Sequence, residues 1–177
     1  MSRSKLWLVL SVVAVLAFTI SAVLPVQAAP PKFVTIVDVA VAVNSSGPYE
    51  GSFDTLIAAI LAADPAVLKT LSGRGQFTVF APTDAAFAEL GLDETNIGTL
   101  DQAALTNILL YHVAPGRRDA AEVLSSDRIR MLNGKFTFVD ANAVTIDGAS
   151  SQPSNIIVTD VFAKNGVIHV IDRVLLP

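Results

Sequence analysis

Asn155–Pro177 reads NIIVTDVFAKNGVIHVIDRVLLP. Two apolar runs, Ile156 to Phe162 and Val167 to Leu176, flank Asn165-Gly166. These two residue types tolerate the positive φ that a two-residue hairpin turn demands, so the segment is predicted to be a β-hairpin turning at Asn165 and Gly166. Side chains alternate across a strand. Val167, His169 and Ile171 therefore share one face of the second strand, while Ile168, Val170 and Asp172 share the other. His169 is placed in an apolar row.

Two earlier segments extend the pattern. Phe77–Leu90 reads FTVFAPTDAAFAEL: Phe77 to Phe80 is a strand by composition and Ala81-Pro82 ends it. Thr83 or Asp84 then caps a helix through Leu90, its side-chain oxygen accepting from N–H groups that have no partner within the helix. The carboxylate of Asp84 also favours the positive end of the helix dipole. Asp101 opens another helix, Ala103 to Leu110, which runs into Tyr111-His112-Val113, so that Leu109–Val113 reads LLYHV. These three separated motifs, in this order, resemble the fasciclin domain family, and the resemblance covers residues 33–177 as a single fasciclin-like domain.

The remaining segments read as helices first and strands later. Ile36, Val37, Val39, Ala40 and Val43 recur at helical spacing until Asn44-Ser45-Ser46-Gly47-Pro48 breaks it. Ser52 is placed to cap a second helix carrying Phe53, Leu56, Ile57, Ile60 and Leu61 on one stripe, and Asp64-Pro65 begins a third. Ser72 to Gly75 is a loop and Gly91 to Gly98 a polar connection. From Ile129 the period shortens, with turn signals at Asn133-Gly134 and Asp147-Gly148. This order of elements predicts an α+β domain. The family resemblance specifies it further as a wedge-shaped β-sandwich with helices packed around it.

At the N-terminus, Arg3 and Lys5 precede an apolar run from Leu6 to Leu24 and a small-residue boundary at Val26-Gln27-Ala28. Residues 1–28 are predicted to be a secretory signal peptide cut after Ala28; at about 20 residues the run could also span a bilayer as an uncleaved anchor. Cleavage would remove two of the 12 basic residues and none of the 16 acidic ones, moving the formal charge from −4 to −6. An acidic chain without Lys/Arg clusters argues against nucleic acid and against an electrostatic grip on anionic lipid. Membrane contact is expected only through an uncleaved leader. The chain has no cysteine, which excludes a disulfide framework, thiolate catalysis and a lipidated-cysteine anchor.

Several residues invite chemical readings. His112 and His169 are the only histidines, and neither has paired-histidine metal spacing or a Gly-x-Ser-x-Gly nucleophile elbow to serve. No metal or cofactor is expected. Both imidazoles lie among apolar neighbours and read as buried groups bonded to backbone or to a carboxylate. Gly73-Arg74-Gly75 precedes a strand instead of a helix and reads as a turn, not a phosphate loop. Asn44-Ser45-Ser46 fits a glycosylation acceptor, a match common by chance. Asp84 reads as a helix cap and Tyr111 as a packing residue with a wet hydroxyl.

The family resemblance implies an extracellular or surface-attached, non-enzymatic module of cell adhesion and matrix contact, a form also found in secreted single-domain prokaryotic proteins. In animal members, integrin contact is attributed to an Asp-Ile pair before the hairpin and to the Tyr-His segment. By that resemblance the contact residues here are Asp160 and Val161, with Val standing in place of Ile, together with Leu109, Leu110, Tyr111, His112 and Val113. Thr83, Asp84, Asn165, Gly166 and His169 are the structural motif residues. The expected partner is a cell-surface or matrix protein or polysaccharide. A second reading is a carrier of a small apolar ligand such as a carotenoid, which some fasciclin-like proteins bind and which a chain with 52% hydrophobic residues would suit. A third is an extracellular ester hydrolase with His112 or His169 as base.

Overall fold

The computed structural model describes residues 34–142, 145–149 and 152–177, so the predicted leader lies outside the described residues. Thr35 opens helix α1 (Ile36–Ser45) through a capping box, its hydroxyl accepting from Asp38 N while the Asp38 carboxylate accepts from Thr35 N. Helix α2 (Asp54–Ala62) follows. Its N-cap is Phe53, which cannot accept a hydrogen bond through its side chain, so the expected Ser52 cap is not the one used. Asp64 caps α3 (Pro65–Leu71), with Pro65 at the first helical position as the sequence suggests.

Strand β1 (Phe77–Pro82) leads into α4 (Asp84–Ala88), a shorter helix than the expected run to Leu90. Thr83 caps α4, and the Asp84 carboxylate reaches back to accept from Asp54 N at 3.2 Å and Thr55 N at 2.9 Å. Asp84 therefore supplies the cap that α2 lacks. The polar connection that follows contains a 3₁₀ turn, Ile97–Thr99. Asp101 then caps α5 (Gln102–Tyr111), which passes through His112 into the short strand β2 (Val113–Pro115).

Helix α6 (Ala120–Leu124) precedes β3 (Arg128–Arg130), β4 (Phe136–Asp140), β5 (Thr145–Asp147), β6 (Ser154–Ala163) and β7 (Gly166–Ile171). The strand order is β2-β1-β7-β6-β5-β4-β3, with β1 and β7 parallel and every other neighbour antiparallel. Long β6 belongs to both halves: Ser154 and Asn155 pair with β5, and Ile156 to Ala163 pair with β7 across two register shifts. Past the end of β3, Leu132 N donates to Val113 O of β2 at 2.7 Å. The two ends of the strand order meet, and the sheet folds over on itself.

Two cores result. Val79, Ala81, Ile168 and Val170 face the helices and pack with Leu56, Phe87 and Leu109. Phe80 and Ile171, on the opposite face of the same strands, pack with Ile129, Met131 and Ile146 of the overlying half. The period-two reading of β7 thus holds. Each alternate set of side chains has its own apolar layer, with the helices covering the first and the second half of the sheet covering the second.

The hairpin is present, but its turn is Lys164-Asn165, and neither Asn165 nor Gly166 has positive φ. Asn165 is buried: its amide donates to Leu71 O and Gly73 O and its Oδ1 accepts from Ile36 N, tying the hairpin to α3 and α1. Gly166 stands inside β7 directly opposite Phe77 of β1. What demands glycine there is the close approach of that backbone, not its φ. The Asn133-Gly134 signal does mark the β3–β4 connection, with Gly134 at φ 88°.

Candidate functional site

Asp160 adjoins His169, and the Leu109–Val113 segment contains His112. His169 lies in the middle of β7, fully buried, its ring stacked on Phe80 at 5.7 Å between centroids. Its Nε2 is 3.0 Å from Arg118 O, and its Nδ1 accepts from Asp160 N at 3.3 Å. A carbonyl oxygen can only accept, so Nε2 carries the proton and both ring nitrogens are in use.

Asp160 explains the irregularity of β6. It lies in the register shift between Val158 and Val161 with φ 60°, and among the described residues it is the one non-glycine at positive φ. Asp tolerates that region better than most residues. Its Oδ1 accepts from Ala120 N at 2.9 Å, in the first turn of α6. The carboxylate expected to be an exposed contact is half-buried and holds β6 to α6.

This geometry predicts a difference between two substitutions. Asp160→Asn keeps an oxygen acceptor and tolerance of positive φ, so its loss of stability should stay within about 1 kcal/mol. Asp160→Val removes both, and the β-branched strain together with the lost hydrogen bond should lower stability by about 2–4 kcal/mol. Thermal denaturation of the two variants checks this, and equal melting temperatures would refute the conformational role.

His112 caps the C-terminus of α5 and is buried among apolar side chains. Its Nδ1 donates to Ile108 O at 2.9 Å, and its Nε2 accepts from Leu175 N at 2.9 Å. Burial pulls its pKa down to about 4, against a smaller opposing effect of the Ile108 carbonyl. Next to it Tyr111 is wholly buried; its hydroxyl donates to Phe136 O at 2.8 Å and accepts from Ala149 N at 3.0 Å. Burial pushes the phenol up, which keeps the donated proton in place.

The Tyr-His segment, expected as a contact face by family resemblance, lies largely inside the domain. Leu109, Tyr111, His112 and Val113 are core residues, and Leu110 and Val161 are half-buried against the helix-side core. The reason is topological: α5 ends beneath the sheet, and the chain enters β2 pointing inward. Of the motif residues, Thr83, Asp84 and Asn165 stand at junctions between elements, whereas Gly166 and His169 lie within β7.

Sequence reasoning passed over a set that the fold does expose together. On β4, Phe136 and Phe138 point outward on either side of buried Thr137, and on β3 Arg130 and Arg128 lie directly opposite them. The alternations Arg-Ile-Arg and Phe-Thr-Phe were the available signal. Phe136 and Phe138 are 38% and 52% exposed, enough to make them surface groups instead of core. The Arg128 guanidinium carbon stands 4.8 Å over the Phe136 ring.

Two small cavities of about 30 Å³ and 20 Å³ lie between α1 and the sheet, lined by apolar side chains that include Ala40, Ala81 and Ile168, with His112 also bordering the larger. Pockets for small organic ligands are typically about 300 Å³ or more.

Taken together, the helix-backed folded sheet and its internally bonded polar junctions define an α+β scaffold. The Fasciclin domain profile matches residues 51–177, and the chain belongs to that family. It is 42% identical over 154 residues to Protein sll1483 from Synechocystis sp., covering 85% of this chain and 78% of that protein. It is 35% identical over 130 residues to transforming growth factor-beta-induced protein ig-h3 from Sus scrofa, covering 72% of this chain and 18% of the relative. Among solved structures it resembles the FAS1 domain pair of the insect cell adhesion molecule fasciclin I, with a TM-score of 0.54 and 20% identity over 71% of this chain and 45% of that one. This last likeness is one of fold. Among the described residues no helix is long and apolar enough to cross a membrane.

Proposed function

We propose that the protein is an exported, non-enzymatic interaction module that contributes to adhesion through contact with cell-surface or matrix polymers. The observation that carries this reading is the commitment of its candidate chemical groups to the scaffold. All four histidine ring nitrogens are engaged with backbone partners. No imidazole is left to take a proton from a nucleophile, which removes the support for the hydrolase alternative. The carrier alternative would need an apolar cavity about tenfold larger than these two, and the wider clefts of about 380 and 440 Å³ among the described residues carry charged and polar side chains, Glu89, Gln152 and Arg173 in one and Arg74, Gln76 and Lys164 in the other. The cell-adhesion role named for the insect structural neighbour agrees with the module reading and is not transferred by fold alone.

Two measurements test the proposal. Intact-mass analysis of the exported protein should give a chain beginning at Ala29; a species retaining Met1 to Ala28 in the membrane fraction would show an anchor instead. Surfaces coated with the purified protein should retain cells or extracellular polymer from its own source culture, and the protein should be colourless. Coloured protein, or an extractable apolar molecule in stoichiometric amount, would favour the carrier.

A further inference from the structure

Resting on the reading as a polymer-contacting module, the geometry points to the outer face of β3 and β4 as its contact surface and to an acidic, uronate-bearing polysaccharide as the ligand class. Phe136 and Phe138 alternate outward on one strand and Arg130 and Arg128 stand opposite them on the next, so two aromatic rings and two guanidinium groups share one face of the sheet. Neither Arg128 nor Arg130 makes a salt bridge among the described residues. The Arg128 guanidinium carbon lies 4.8 Å from the Phe136 ring centroid, within cation–π reach.

Each part of this surface matches one part of a polyuronate. The C–H face of a pyranose packs on an aromatic ring, and a ring carboxylate accepts two parallel N–H bonds from a guanidinium. Charge is also polarised across the face. Arg128 and Arg130 lie on the β3 side and Lys135 at the hairpin tip, whereas Asp140 ends β4 and Asp147 pairs opposite Phe138 from the β5 side; Asp127 precedes β3. A polyanion is therefore directed along β3 and kept off β5. Two phenylalanines offer too little apolar area for a stable protein interface.

The test uses the full exported protein with alginate, with neutral dextran and phosphatidylglycerol vesicles as comparison arms. Alginate should bind and dextran should not, and binding should weaken as salt rises. The double variant Arg128→Gln/Arg130→Gln and the single variant Phe138→Thr should each lose about tenfold or more in affinity, with melting temperatures close to the parent. Alginate binding unchanged in both variants would overturn the site, and binding to vesicles or to a protein partner without alginate would overturn the ligand class. Should the variants still attach to native cells as the parent does, this face fails while the module reading stands. Should the parent attach to neither cells nor polymer, the module reading itself fails.

Discussion

Replacing Gly166 by alanine is expected to be the most damaging single-methyl change in the molecule. A Cβ at this position would overlap the Phe77 carbonyl oxygen and come within 2.9 Å of the Phe77 carbonyl carbon and 2.6 Å of Ile36 Cδ1. The first two are backbone atoms of the paired strand, which cannot move away without opening the parallel β1–β7 ladder. The loss should be on the order of 4 kcal/mol or more, a large share of the roughly 5–15 kcal/mol that holds a domain folded. Gly134→Ala is the matched control. Its φ of 88° is strained for alanine, but nothing lies within 4 Å of the added methyl, so about 1–2 kcal/mol is expected. Urea denaturation of both variants gives the comparison. A Gly166→Ala midpoint at or above that of Gly134→Ala would refute the close-approach account.

The second large effect is a pH dependence. The folded-state pKa of His112 is held at about 4, below its ordinary 6.5, because burial excludes the charged ring. Between those values the unfolded chain takes up a proton that the folded chain refuses. The stability tied to this group is therefore complete above pH 6.5 and falls progressively as the pH drops toward 4, by an amount on the order of 3 kcal/mol. Denaturation at a series of pH values should show this slope in the parent. His112→Gln, which retains a donor and an acceptor but does not titrate, should lower stability overall and remove that part of the slope. Other groups titrate in both proteins, so the difference between the two curves isolates His112. Parallel curves from pH 6.5 to 4 would mean that the buried imidazole is not kept neutral.

What the sequence made legible followed from local patterns. The alternation in β7, the Thr83 cap and the Asp101 helix running into Tyr111-His112 each depend on residues within one element, and each appears in the structure. Helix α6 was equally local and went unread: Asp119 and Glu122 form a capping box three residues apart. Other features depended on partners far along the chain. Asp84 completes a helix thirty residues earlier, Asn165 bonds to Ile36 and Leu71, and Asp160 takes its conformation from a β-bulge opposite His169. Spacing alone could not show those connections. Nor could it show that the Tyr-His segment turns inward, since an apolar helix end followed by a strand fits a surface junction equally well.

The meeting of the two ends of the strand order also bears on how such a chain avoids polymerising with its own copies. An open sheet edge is a template for another strand, and a domain without disulfides has no covalent restraint against exposing one. Here the terminal strands β2 and β3 are three residues each. One ends in Pro115, which has no N–H to offer, and the other carries Arg128 and Arg130, whose like charges disfavour stacking of a second copy. Leu132 already occupies the Val113 carbonyl between them. Neighbouring copies at high local density are therefore denied a strand to extend, while the broad faces of the sheet stay clear of that restriction.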